Sequence, residues 1–201
     1  MKRLGILLSG RGSNFLAIHR AIGEGRLPAT EIAVVLSNKS DAPGLIAARE
    51  LGIPAHHIPV AGRTPVERDL EFIAQLQQYE IDLVCLAGYM RIISAPFVEA
   101  FPNRILNVHP SLLPSFPGLD AQAQALEFGT KVAGCTVHFV DEAVDHGVII
   151  LQRAVPVLDE DTPDTLSARI LIEEHRAYPE AIARVFSGDY EIRGRRYVRK
   201  P

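Results

Sequence analysis

The chain has 201 residues, enough for one domain or two closely fused halves and for a sizeable core without disulfides or metals. Hydrophobic residues make up 47% and charged residues 22%, ordinary globular proportions, and the formal net charge of −3 excludes a global basic field for holding nucleic acid. The basic-then-apolar start Met1–Leu8 breaks off at Ser9-Gly10-Arg11, too soon for a signal peptide or a membrane span.

In chain order, Leu4–Leu8 reads as a first buried strand. Phe15, Leu16, Ile18 and Ile22 then recur at helical spacing until Gly23 and Gly25. Ile32–Leu36 is a second buried strand, and Pro43–Leu51 a helix closed by Gly52. Ile53–Ile58 contains Pro54, so it is a short or edge strand. Thr64-Pro65 and Glu67 form a cap with proline in the first turn, opening a helix through Gln78. Asp82–Ala87 is a fourth strand, and a short helix at Ala95–Ala100 leads into a strand at Arg104–Val108. This alternation predicts an α/β fold with a doubly wound, mainly parallel sheet. Ligands of such sheets bind beyond the carboxyl ends of the strands, so Ser9–Asn14, Gly88–Ile93 and Asn107–Ser111 share one rim.

After residue 110 the character changes. A proline-punctuated loop is followed by a helix at Ala121–Phe128. Val132–Val140 and Val148–Val157 read as two long strands forming an antiparallel extension. A Thr162-capped helix to about Phe186 and a small hairpin turned at Gly194 complete the chain. Cys85 and Cys135 lie in apolar runs, which reads as reduced core thiols in the cytoplasm.

Three constellations carry chemistry. The loop Ser9-Gly10-Arg11-Gly12-Ser13-Asn14 joins a strand to a helix, where backbone N–H groups and the helix N-terminus favour an anion. It has no Lys for a Walker loop, and the second strand lacks the terminal acid of a dinucleotide site. A phosphate monoester site remains, beside the reading of a tight turn with a capping serine. Asn107 and His109 stand two residues apart and share a face of a strand that Pro110 ends. An amide beside an imidazole suits an oxyanion and a proton transfer; a capping Asn with a solvent-facing His is the alternative. In Asp141-Glu142-Ala143-Val144-Asp145-His146, a carboxylate turned onto His109 favours the imidazolium form, while a solvated acidic turn is the plainer reading. His19 reads as a surface residue, and His138 either faces the site or is a satisfied core histidine. No zinc-type spacing appears, so no metal is expected.

These segments occur in one order together with Ala87-Gly88-Tyr89-Met90-Arg91-Ile92, Ser111-Leu112-Leu113-Pro114 and Val137-His138-Phe139-Val140-Asp141. The set resembles the phosphoribosylglycinamide formyltransferase family, folate-dependent enzymes of purine biosynthesis, over nearly the whole chain. The resemblance implies one formyltransferase domain over 1–201, with a phosphate-binding, Rossmann-like half at 1–110 and a folate-binding half at 111–201. It implies transfer of the formyl group of 10-formyltetrahydrofolate to glycinamide ribonucleotide, with no metal. Gly12, Ser13 and Asn14 are then expected on the substrate phosphate, and Glu174 on its glycine amine. Met90, Arg91, Ile92, Ile93, Val140, Asp141 and Asp145 are expected around the folate, with Arg63 near its tail. Asn107, His109 and Asp145 are expected to form the catalytic trio. The segment Ser115–Gln122 departs from the basic or His-rich stretch usual in this family, and Leu171 replaces a polar residue. Two alternatives stand beside this reading: a formyltetrahydrofolate hydrolase using water, and a non-catalytic folate- or nucleotide-binding module. The partners expected are small molecules, without nucleic acid or membrane, acting on a monomer or homodimer.

Overall fold

Apolar runs bounded by glycine, proline and polar exits become the strands of the first unit. The computed structural model describes residues 1–201 as two units, Met1–Asn107 and Val108–Pro201. The first unit runs β1 (Lys2–Leu8), α1 (Ser13–Gly23), β2 (Thr30–Ser37), α2 (Pro43–Glu50), β3 (Ala55–His57), α3 (Pro65–Gln78), β4 (Leu83–Leu86), α4 (Ala95–Ala100) and the start of β5 (Ile105–His109). The strands pair in parallel in the order β3-β2-β1-β4-β5. Parallel strands covered on both faces read as continuous apolar runs, and Leu4 to Leu8, Ile32 to Leu36 and Leu83 to Leu86 are all buried. Winding proceeds outward in both directions from the β1–β4 pair. Helix α1 packs on α2, and α3 on α4.

The expected elements appear within a residue or two of their ends, and the strand expected around Pro54 is a three-residue edge strand that starts just after it, at Ala55. Thr64 and Glu67 exchange the two hydrogen bonds of a capping box at the head of α3. Two surface expectations need correction. Leu16 points to solvent rather than into the core, because the buried face of α1 is set by Phe15, Ile18 and Ala21. His19 is half-buried beside the Phe15 ring, not fully at the surface.

The second unit begins with Val108 and His109 at the end of β5. It continues with α5 (Ala121–Phe128), β6 (Val132–Phe139), β7 (Ile149–Pro156), α6 (Pro163–Ser187), β8 (Tyr190–Arg193) and β9 (Arg196–Arg199). Strands β6 and β7 are antiparallel, with a bulge between Val137 and His138. Helix α6 starts at a Thr162–Thr165 capping box and lays Leu166, Ile170, Ala177, Tyr178, Ala181 and Ile182 inward; it packs on both β6 and β7. The β8–β9 hairpin turns at Gly194, which takes a left-handed φ of 61°. No helix is long and apolar enough to cross a membrane.

Candidate active site

Winding away from β1 on either side opens a switch point between the carboxyl ends of β1 and β4, where doubly wound sheets take their ligands. Two loops leave there. Gly12 is the N-cap of α1 and holds a left-handed φ of 73°. A Cβ on Gly12 would stand 2.8 Å from the Gly44 Cα, so this loop needs a residue without a side chain. The Gly44 amide donates to the Gly10 carbonyl at 3.0 Å, tying the loop to the head of α2. Helix α1 has no side-chain cap, and a helix N-terminus of this kind favours an anion beside Ser13 and Asn14.

The second loop, Gly88–Ser94, is held from outside at alternate residues. The Ser9 hydroxyl donates to Asn38 Oδ1 at 2.6 Å and accepts the Met90 amide at 2.9 Å. One buried serine thus joins the exits of β1, β2 and β4. Arg68 Nη2 donates to the Ile92 carbonyl at 2.7 Å, and the Ser94 amide donates to Asp69 Oδ2 at 2.6 Å. Met90 and Ile92 are left displayed, 65% and 70% exposed, while Ile93 is buried. Arg63 is engaged by Glu71 across the first turns of α3. Asn107, on β5, pairs with Leu86 at the end of β4, at the same carboxyl rim.

In the second unit, His109 is 5% exposed. Its Nδ1 lies 3.3 Å from Asp145 Oδ2, and its Nε2–H donates to the Phe116 carbonyl at 2.8 Å. Both neighbours are acceptors, so only a ring protonated on both nitrogens satisfies both. Asp145 reaches His109 from the β6–β7 connection in a left-handed conformation, φ 51°, which Asp tolerates better than most residues. Gly147 sets its approach: a Cβ there would lie 1.8 Å from the Phe139 carbonyl oxygen.

His138 resolves its two readings as one. It is buried, and the bulge turns it so that Nδ1 donates to the Phe139 carbonyl at 2.7 Å while Nε2 lies 3.7 Å from Asp145 Oδ1. The Gly118 amide donates to Asp145 Oδ2 at 2.8 Å. Burial raises the Asp145 carboxyl, but the His138 ring, the Gly118 amide and the His109 charge outweigh it and hold the carboxyl below its usual value. Asp145 is an anion at neutral pH, lying between two imidazoles.

The other candidates of this unit are placed differently. Val140 is half-buried just past β6. Asp141 is engaged by His146 at 2.9 Å and by the Ala143 amide at 3.1 Å, and Arg195 on the hairpin turn donates to the His146 carbonyl at 2.5 Å. Glu174 is 7% exposed within the apolar stripe of α6, four residues after Ile170, an unusual place for a carboxylate. Burial, followed by the charges of Glu174 and Glu173, pushes the Cys135 thiol up to about 12. Both cysteines are buried and form no disulfide. No three His, Cys, Asp or Glu side chains are grouped as a metal ion would require.

Sequence reasoning missed Arg68, Asp69, Phe116 and Gly118. Arg68 and Asp69 carried a signal, since they fall on the α3 stripe of Phe72, Ile73 and Leu76, where charge is out of place. Phe116 and Gly118 act through backbone groups, which leave no mark on residue type.

The formyl transferase family pattern matches residues 2–182. A phosphoribosylglycinamide formyltransferase of Escherichia coli is 44% identical over 179 residues, covering 89% of this chain and 84% of that protein. The human trifunctional purine biosynthetic protein adenosine-3 is 47% identical over 191 residues, 94% of this chain. This chain spans 14% to 19% of the length of such trifunctional relatives. The crystal structure of glycinamide ribonucleotide transformylase 1 from Symbiobacterium toebii superposes with a TM-score of 0.96 at 54% identity, covering 100% of this chain and 95% of that one.

Proposed function

Because this chain belongs to the formyl transferase family, we propose that it moves the formyl group of 10-formyltetrahydrofolate onto the glycine amine of 5'-phosphoribosylglycinamide. The products are formylglycinamide ribonucleotide and tetrahydrofolate, a step of purine biosynthesis. The observation that carries this reading is the buried His109 held between the Asp145 carboxylate and the Phe116 carbonyl, an acceptor at each ring nitrogen.

The residues divide the work. Gly12, Ser13 and Asn14 hold the substrate phosphate at the head of α1. Glu174 meets the glycine amine. Met90, Arg91, Ile92 and Ile93 line the folate pocket, with Val140 and Asp141 closing on the pterin and Arg63 near the tail. Attack of the amine on the formyl carbon makes a tetrahedral oxyanion. The Asn107 amide and His109 Nε2–H stabilise it, the oxyanion displacing the Phe116 carbonyl because it is much the stronger acceptor. Asp145 keeps His109 charged and oriented. As the carbon–N10 bond breaks, the proton lost by the amine reaches N10 through water.

Water as acceptor would leave the Gly12–Asn14 loop without a phosphate to bind, which favours transfer over hydrolysis. Two buried cysteines without a disulfide suit a reducing cytoplasm, and we place the protein there as a monomer or homodimer. The test is formyl transfer with and without glycinamide ribonucleotide. Formylglycinamide ribonucleotide formed in proportion to tetrahydrofolate supports the reading; equal tetrahydrofolate release without the amine overturns it.

A further inference from the structure

Arg68 and Asp69 are 6% and 1% exposed, a charged pair in the body of α3 joined by an Nε to Oδ1 hydrogen bond of 2.7 Å. Burying such a pair is costly, and apolar residues would usually serve stability as well. Its remaining groups point at one loop. The cation takes the Ile92 carbonyl and the anion takes the Ser94 amide, so each backbone group meets the charge that suits its dipole. Tyr89 is buried against Phe72, ring centroids 5.6 Å apart, but its hydroxyl has no hydrogen-bond partner; it anchors the loop by packing alone. With Ser9 fixing Met90, residues 90, 92 and 94 are each held through the backbone, while the Met90 and Ile92 side chains stay displayed.

We propose that the Arg68–Asp69 pair is a positioning device for the Met90–Ser94 loop and thereby sets affinity for the formyl-folate. The idea rests on the folate role given to that loop above. Ordering two apolar side chains in advance lowers the entropy lost on binding, and a loosened loop must be ordered by the ligand itself.

The test uses Arg68→Lys and, separately, Asp69→Asn. Lysine keeps the charge beside Asp69, but its single ammonium cannot reproduce the fork that spans Asp69 and the Ile92 carbonyl. In Arg68→Lys we expect amide exchange at residues 90–94 to accelerate about tenfold, and the Kd for 5-formyltetrahydrofolate to rise about tenfold, the loss of one charge-assisted hydrogen bond. The KM for formyl-folate should rise in parallel, with KM for glycinamide ribonucleotide, kcat at saturation and Tm nearly unchanged. Asp69→Asn should give the same split of KM against kcat through the Ser94 amide, with a lower Tm because the Arg68 charge is left buried without its counterion. Unchanged exchange and Kd in folded Arg68→Lys overturn the proposal, as does a uniform fall of all constants together with Tm. A wild type that binds the folate but transfers no formyl group sinks the functional reading while exchange and Kd still judge the clamp.

Discussion

The loops of the first unit and the histidine centre of the second are built on opposite principles. Gly12 and the Gly88–Ser94 loop are held by backbone hydrogen bonds to serine, arginine and aspartate, and they present amides and apolar side chains. His109 and Asp145 are held by each other and by the Phe116 carbonyl and the Gly118 amide, so the same groups that are proposed to act are the ones bonded. The proposed binding surface is positioned without being polarised; the proposed catalytic pair is positioned by contacts between charged or chargeable groups. Substitutions in the first region should therefore move KM, and those in the second kcat.

The sharpest way to break this contrast is Asp145→Asn. It preserves shape but removes the anion that stabilises the His109 imidazolium, so kcat should fall about 10²–10³-fold, the scale of losing one oxyanion donor, with little change in folate binding. Stopped-flow turnover with separate folate titration checks it; a fall in affinity instead of turnover would erase the distinction. Gly147→Ala reaches the same carboxylate through space alone. Its new Cβ meets the Phe139 backbone oxygen, so the connection must shift, and a stability loss of ~3 kcal/mol should accompany a drop in kcat, measurable by urea melts beside turnover. Next in size is Gly12→Ala. The strained φ and the contact with Gly44 should raise KM for glycinamide ribonucleotide about tenfold while formyl-folate KM holds.

The smallest effect is the dependence of stability on acid. The folded Asp145 carboxyl lies below its ordinary value of 3.8, so its contribution is complete above that pH and is lost as pH falls through the folded value. The part of the stability difference between the wild type and Asp145→Asn that this carboxyl supplies should thus shrink on acidification below 3.8. A difference that grows instead would mean that the carboxylate is a net burden to folding.

Sequence alone determined the element order, the glycine loop at the head of α1 and the Asn107–His109 spacing. All three are local: apolar period, caps and turn residues act over a few positions, and each was legible within about a turn of chain. It also placed Asp145 near enough in character to be a candidate, but not in contact. That contact is 36 residues away along the chain and depends on a left-handed Asp145, a Gly147 with no room for a side chain and a bulge that turns His138. Arg68 and Asp69 looked like two more charges on a helix until the tertiary structure buried them against the Ile92 carbonyl and the Ser94 amide. Their partners are backbone groups, which every residue carries alike, so only the folded chain could decide which of them a buried charge would find.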